Sequence, residues 1–293
     1  IDLSSNTGGL VWAKGPTTGQ PASATAGEMR VDTTTNTTLV YNGTQWKTLK
    51  ETAFVVPPIP THFLVIAGGG GGGGQQNSGG GGAGGFRTSY STTGGGGSAE
   101  STINISLNTA YTITVGAGGA GASPYNIGSN GFDSLFATVT STGGGGGGGV
   151  GVNGASGGSG GGAAYLSSSP GVAVTTPVVQ GYDGGTGVNA GANYGSGGGG
   201  GAGGLGQNGT SSAVGNGGAG LASSITGSSV TRASGGSGGG NSITPIATPG
   251  GGSINTSDAT PNTGGGGGGA SNLPTPTSTS GKSGGSGVVI LRY

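Results

Sequence analysis

β-forming and turn-forming positions alternate along the first fifty residues. Glu28-Met-Arg-Val-Asp32, Thr37-Thr-Leu-Val-Tyr41 and Gln45-Trp-Lys-Thr-Leu49 read as strands, separated by a Thr/Asn stretch and by Asn42-Gly43. The pattern predicts a three-stranded meander with Asn42-Gly43 as hairpin turn. So small a sheet leans on a neighbour or on copies of itself. Val55-Val-Pro57-Pro58-Ile-Pro60 forbids helix and predicts a stiff, extended connector. The expected domains are therefore 1–60, a small β-rich attachment or shaft module, and 61–293. The second part opens with Phe63-Leu-Val-Ile-Ala67 and closes with Val288-Val-Ile-Leu-Arg-Tyr293, apolar runs expected to pair and tie its ends together. Within it, Thr102–Leu107 and Tyr111–Val115 alternate apolar and polar around Asn108-Thr-Ala110, the pattern of a half-buried hairpin. No apolar run approaches the roughly 18 residues of a membrane-crossing helix.

Composition changes the picture from residue 63 onward. Glycine supplies 82 of 293 residues, gathered in runs such as Gly68–Gly74, Gly79–Gly85, Gly116–Gly121, Gly143–Gly149 and Gly264–Gly269, with Ser, Thr, Asn, Tyr and Pro inserts between them. There is no Gly-X-Y period, so a collagen triple helix is excluded. An isolated glycine run stays coil, because ordering glycine costs more backbone entropy than ordering any other residue. A polyglycine-II helix, three residues per turn, has no internal hydrogen bonds and points every N–H and C=O outward. It is stable only inside an array of like helices that pair those groups. Absence of Cβ atoms lets such helices approach closely. The expected fold is mainly β and polyglycine-II: a β-meander, then a sandwich of polyglycine-II helices with flanking strands and essentially no α-helix. Ala83, Ala117, Ala202 and Ser237, which interrupt runs, are expected on outer faces or at ends.

Charge and candidate chemistry narrow the function. Eight basic and eight acidic residues cancel, and the basic ones are scattered, so nothing draws nucleic acid or an anionic bilayer. With no Cys and only His62, metal ligation has no donor set, and none is expected. Matches to dinucleotide-binding glycine patterns arise by chance in such a sequence. Gly281-Lys282-Ser283 lacks the rest of a phosphate loop, so Lys282 is a solvated loop residue, and His62 is a linker side chain. Asp133, Asp183 and Asp258 are too sparse for calcium-binding nonapeptides and too far apart for a recognisable catalytic set. The expectation is no enzyme and no cofactor. Asn36, Asn42, Asn104, Asn208 and Asn255 head glycosylation sequons of chance frequency. The chain starts at Ile1 without a basic leader, which suggests a processed chain or a piece of a longer one. Phe86, Tyr90, Tyr125, Tyr165, Tyr182 and Tyr194 fall in the inserts, where Tyr with Ser, Gly and Asn makes the vocabulary of binding loops.

The segment from Gly27 to Leu49, with Tyr41-Asn-Gly-Thr-Gln-Trp46, resembles a small module that recurs in bacteriophage tail-fibre proteins. Phe63-Leu-Val-Ile-Ala-Gly-Gly69, Tyr111-Thr-Ile-Thr-Val-Gly-Ala-Gly-Gly119 and Gly287–Tyr293 resemble the glycine-rich domain of phage tail-fibre adhesins. The resemblance implies a virion-borne, extracellular, non-enzymatic protein whose loops bind a host outer-membrane protein or surface glycan, alongside other tail-fibre subunits. It carries no catalytic residues over. The candidate recognition loops are Phe86–Thr93, Ser123–Asn130, Tyr165–Tyr182, Val188–Tyr194 and Asn241–Thr263. Fibre modules of this kind form homotrimers, with Trp12 and Trp46 as candidate interface anchors. Two rivals are a purely structural fibre or decoration protein and, ranked last, an ice-binding polyglycine-II protein, which would need a flat, regular Thr/Ala face.

Overall fold

The computed structural model describes residues 13–49, 57–74, 76–166, 169–190, 194–241, 248–253, 257–271 and 280–293. The chain divides into two compact units, Ile1–Val56 and Pro57–Tyr293. The protein is mainly β, with no α-helix among the described residues.

The first unit holds four strands: β1 (Ala13–Gly15), β2 (Met29–Asp32), β3 (Thr37–Tyr41) and β4 (Trp46–Thr48). They lie in that order in one sheet. The last three form the expected meander. Its second turn spans Asn42–Gln45, where Asn42 Oδ1 accepts from the amides of Thr44 (3.0 Å) and Gln45 (2.9 Å) and Gly43 takes a φ of +98°. The addition to the expectation is β1, which pairs parallel to β2. Three residues are too few to show an alternating pattern, so β1 left no trace in the sequence. Arg30 and Asp32 face inward from β2 with Leu39 of β3. The Arg30 guanidinium donates to the carbonyls of Gly19 (2.9 Å) and Pro16 (3.2 Å), and Asp32 accepts from the Thr17 hydroxyl (2.7 Å). The polar centre of this sheet thereby latches the loop between β1 and β2.

The second unit begins with β5 (Ile59–Ile66), β6 (Phe86–Thr88), β7 (Ile103–Ile105), β8 (Ile113–Thr114) and β9 (Ser134–Phe136). It continues with β10 (Val139–Ser141), β11 (Leu221–Ser223), β12 (Val230–Arg232) and β13 (Val288–Arg292). β5 and β13 pair antiparallel from Val288↔Ile66 to Arg292↔His62, so the two apolar bookends meet as their composition predicts. β6 flanks β5 on the other side. One face of this sheet, Leu64, Ile66, Phe86, Val288 and Ile290, packs with Leu221 and Ile225 around the β11–β12 hairpin. The opposite face, Phe63, Val65, Val289 and Leu291, packs on Phe136 and Val139 of the β8–β10 sheet. The central sheet is covered on both sides, which is why its strands read as continuous apolar runs rather than alternating ones.

Three expectations are corrected. β7 and β8 do not pair with each other: β7 adds to Ile59–Thr61 of β5, and β8 adds to β9. The local bond between their arms is Ser106 N–H to the Tyr111 hydroxyl (3.0 Å), while the Tyr111 ring turns to Phe136. Distant partners offering a whole strand edge outcompete the short local loop. Pro60 and His62 belong to β5 rather than to a connector, and His62 Nδ1 lies 3.1 Å from the Ser89 carbonyl. Val55 and Val56 of that connector lie outside the described residues.

Beyond the strands the glycine runs form a lattice. In Gly68–Gly74 the amides of Gly68, Gly71 and Gly74 donate to Phe132, Ser129 and Asn126. Those of Gly69 and Gly72 go to Gly285 and Lys282, and those of Gly70 and Gly73 to Gly82 and Gly79. Every third residue meets the same neighbour, the screw of a polyglycine-II helix. Its carbonyls serve three more runs: Gly144 and Gly147, Gly119 and Ala122, and Gly267 and Ala270 donate to them. The run therefore has six neighbours, three antiparallel through its amides and three parallel through its carbonyls. Gly79–Gly85 is likewise bonded on six sides, with five antiparallel neighbours and one parallel. A Cβ at any position of Gly68–Gly74 would lie 1.9–2.2 Å from a backbone carbonyl oxygen, so these positions admit glycine alone.

Outer runs differ. In Gly116–Gly121 every third residue, Ala117 and Ala120, is exposed while Gly116 and Gly119 are buried. Ala117 faces outward, and Ala83 and Ala202, though buried, lie at run ends, as expected; Ser237, buried within its run, does not fit the expectation. Ala83 and Ala202 sit where their runs reach the strands, and their methyls join the apolar cluster around Ile66 and Phe86. At that level the hydrogen-bonded lattice gives way to side-chain packing, which makes room for a Cβ.

Candidate functional site

The register of the runs sorts the connections into two ends. Gly68–Gly74 leaves β5, Gly79–Gly85 arrives at β6, Gly116–Gly121 leaves β8, Gly143–Gly149 follows β10, and the run ending at Gly287 enters β13. Their mutual hydrogen bonds hold the strands of the second unit at one end. At about 3.1 Å per residue, seven residues carry the chain some 22 Å to the opposite end. Connections 74–79, 122–126, 149–154, 164–166, 188–190 and 209–214 turn there, and their described residues carry no charged side chain.

Three of the six candidate aromatics reach this loop end. Tyr125 and Tyr194 are 54% and 38% exposed, with Ile127, Val152 and Leu166 exposed beside them. The Tyr165 and Tyr194 rings meet at 5.3 Å, and the Tyr165 amide donates to the Asn77 carbonyl (3.3 Å). Four side-chain-bearing residues take left-handed backbone here: Gln76 (φ +52°), Asn77 (+58°), Tyr125 (+65°) and Tyr194 (+45°). Outside glycine such conformations cost on the order of 1–2 kcal/mol each and gather where geometry is functional.

The other three aromatics belong to the strand end. Phe86 is a fully buried core residue of β6 and presents no surface, because its ring fills the cluster over Leu64 and Ile66. Tyr90 accepts from Arg292 (2.7 Å), whose guanidinium lies 5.0 Å from the ring centre, and meets His62 edge-on at 5.4 Å. Tyr182 is spliced into the lattice, its amide on Gly201 and its carbonyl receiving Gly160. Of the expected loops, the described part of Val188–Tyr194 lies at the loop end, Ser123–Asn130 starts there and runs back along the lattice to Asn130, and Phe86–Thr93 lies at the strand end. Tyr165–Tyr182 runs from one end to the other. Asn241–Thr263 also divides: Asn241 is at the loop end, whereas Pro249 accepts from Ser234 beside β12. Trp46 rests against Tyr41 (5.4 Å between rings) and under Arg30 (5.8 Å). Trp12 lies outside the described residues.

The carboxylates have structural work. Asp133, Asp183 and Asp258 each accept one backbone amide of an adjoining segment, from Gly143 (2.8 Å), Ala173 (2.6 Å) and Ser283 (2.7 Å). Asn130 and Asn208 do the same for Gly146 (2.9 Å) and Thr186 (2.8 Å). At the lattice edge, where no further run offers a carbonyl, an Asx side chain supplies the acceptor. Glu100 forms a two-pronged pair with Arg87, which also donates to the Thr140 carbonyl (2.8 Å). No cluster of three or more potential metal ligands occurs among the described residues. A groove of 830 Å³ between Ile103, Val139 and Pro177 lies at the strand end, away from the exposed tyrosines.

Gln76, Asn77 and Ser78, which tie the loop end together, drew no attention in the sequence. Their signal is a short polar insert between two nearly unbroken glycine runs. A lattice of glycine helices closed by sheets at one end and displaying loops at the other defines a glycine-rich β/polyglycine-II domain. A family model described as a glycine-rich domain matches residues 48–293, and the chain belongs to that family. No curated protein matches the chain.

Proposed function

We propose that this chain is the receptor-binding part of a bacteriophage tail fibre, a non-enzymatic adhesin carried on the virion. The observation that carries the reading is the convergence of uncharged, Tyr-bearing loops at one end of a closely packed, hydrogen-bonded lattice. Rigid presentation lowers the ordering entropy that binding loops must otherwise lose. Tyr, Asn, Ser and Gly together supply aromatic area and adaptable hydrogen bonds. The target is an outer-membrane protein or a surface glycan, and the first unit joins the domain to other fibre subunits as a homotrimer. The resemblance of Gly27–Leu49 to tail-fibre modules supports the phage setting.

The test is binding of the full chain to cells of candidate hosts, beside a variant in which Tyr125, Tyr165 and Tyr194 are replaced by Ser. Saturable binding to one host, weakened at least tenfold in the variant and unchanged between low and high salt, is the expected result, because the described residues of the loop-end connections carry no charge to be screened. A folded chain that binds no host while assembling into fibres would move the protein to a structural role. The ice-binding alternative draws little support, since Phe132 and Leu205, 65% and 61% exposed, break the small-residue surface where they stand.

A further inference from the structure

We infer that Asn77 is the positioning residue of the loop end. Residues 76–78 lie between the two central runs, so they emerge in the middle of that end with the other loops around them. Asn77 is 2% exposed. Its carbonyl receives both the Tyr165 amide and the Ser196 hydroxyl, and Ser196 stands two residues beyond Tyr194. One acceptor thus lies beneath the two strands of chain whose rings meet. Its side-chain Nδ2 donates to Asn241 Oδ1 (2.7 Å), which brings in a fourth loop 164 residues away in sequence. Its neighbours extend the knot. Gln76 Nε2 reaches the Tyr125 hydroxyl (3.5 Å), and the Ser78 hydroxyl accepts from the Ala270 amide (2.8 Å) while donating to Gly73 (2.5 Å).

Two features mark this as more than a convenient turn. Asn77 takes a φ of +58°, a conformation for which glycine is the ordinary choice, so a side chain is kept there for what it bonds. Its Oδ1 is buried without a hydrogen-bond partner, a cost that ordinary turns avoid. The side-chain bond to Asn241 holds the peptide plane, and the peptide plane holds Tyr165 and the segment after Tyr194. Asn77 therefore acts on recognition through the tyrosines and does not itself touch a receptor.

The inference deepens the adhesin reading and rests on it for its biological meaning. The test compares the full chain with Asn77→Gly, which keeps the left-handed backbone and the carbonyl but deletes the side-chain bond. Three readouts are taken: the ring-to-ring nuclear Overhauser contact of Tyr165 and Tyr194, hydrogen exchange of the Gly68–Gly74 amides, and binding to host cells. The expected result is loss of the ring contact and at least tenfold weaker binding, with lattice exchange unchanged. Persistence of the ring contact with binding within twofold overturns the inference, and so does loss of lattice protection, which would make Asn77 a plain stability residue. If the unaltered chain binds no cell, the adhesin reading fails by itself, and the ring contact still decides the role of Asn77.

Discussion

Gly68–Gly74 and Gly116–Gly121 are helices of the same kind with different neighbourhoods. The first is bonded to six runs and admits glycine alone; the second is bonded to three, through Gly69 and Gly72, through Phe132 and Ser129, and through Gly281, Gly284 and Gly287. On its open side it carries Ala117 and Ala120. The helix itself does not demand glycine, since polyglycine-II geometry suits most residues. The demand comes from how many backbones crowd around it. Glycine content along this chain is therefore a record of depth in the lattice, as hydrophobicity is in an ordinary core.

The sharpest way to break that contrast is one methyl at each depth. Gly71→Ala places a Cβ 2.0 Å from the Ala120 carbonyl oxygen, backbone that has nowhere to retreat. The expected cost exceeds about 5 kcal/mol, beyond the usual span of single substitutions, and thermal melting should show the second unit lost. Ala120→Ser on the open side should stay within about 0.5 kcal/mol in the same measurement. If Gly71→Ala melts like the parent chain, the lattice is looser than its hydrogen bonds state.

A middle-sized effect belongs to the lattice edge. Asp133→Ala leaves the buried Gly143 amide without its acceptor, which should cost about 1–3 kcal/mol in denaturant unfolding. Asp133→Asn keeps an oxygen in place and should recover most of the loss. Equal destabilisation by both would point to charge rather than to the plugged amide.

The smallest effect separates the lattice from the ordinary sheet of the first unit. The Thr17 hydroxyl and the amides of Thr35 and Thr34 hold the Asp32 carboxyl below the usual aspartate range, with Arg30 adding to the effect, against some desolvation. A carboxyl with a depressed folded pKa contributes stability above its unfolded value of about 3.9, and that contribution is lost as pH falls through the folded value. Circular dichroism across this acid range should show the first unit loosening relative to neutral pH. Asp32→Asn should remove that pH dependence.

Much of the architecture was legible because it rests on composition. Only runs nearly free of Cβ atoms can form such a lattice, and only apolar bookends could close it, so the pairing of Phe63–Ile66 with Val288–Leu291 followed from the sequence. Register was not legible, because identical glycines carry no address. The marks that fix it are single Asx residues such as Asn130 and Asp133, three apart, opposite Gly146 and Gly143. The same blindness hid which tyrosines share an end: Tyr165 and Tyr194 look like Tyr90 and Tyr182 until the direction of each run is known. β7 and β8 misled because hairpin patterning reports a half-buried strand without naming its partner.

A core held by amide bonds rather than by apolar side chains also has a thermal signature. Unfolding an oily core raises heat capacity through exposed hydrocarbon, whereas exposing peptide groups lowers it, by roughly 0.26 against a gain of roughly 0.45 cal/K/mol for each Å². In the second unit, where glycine backbone fills the interior, the two contributions oppose each other and the curvature of stability against temperature flattens. Such a domain gains little from warming toward a hydrophobic optimum and loses little on cooling away from it.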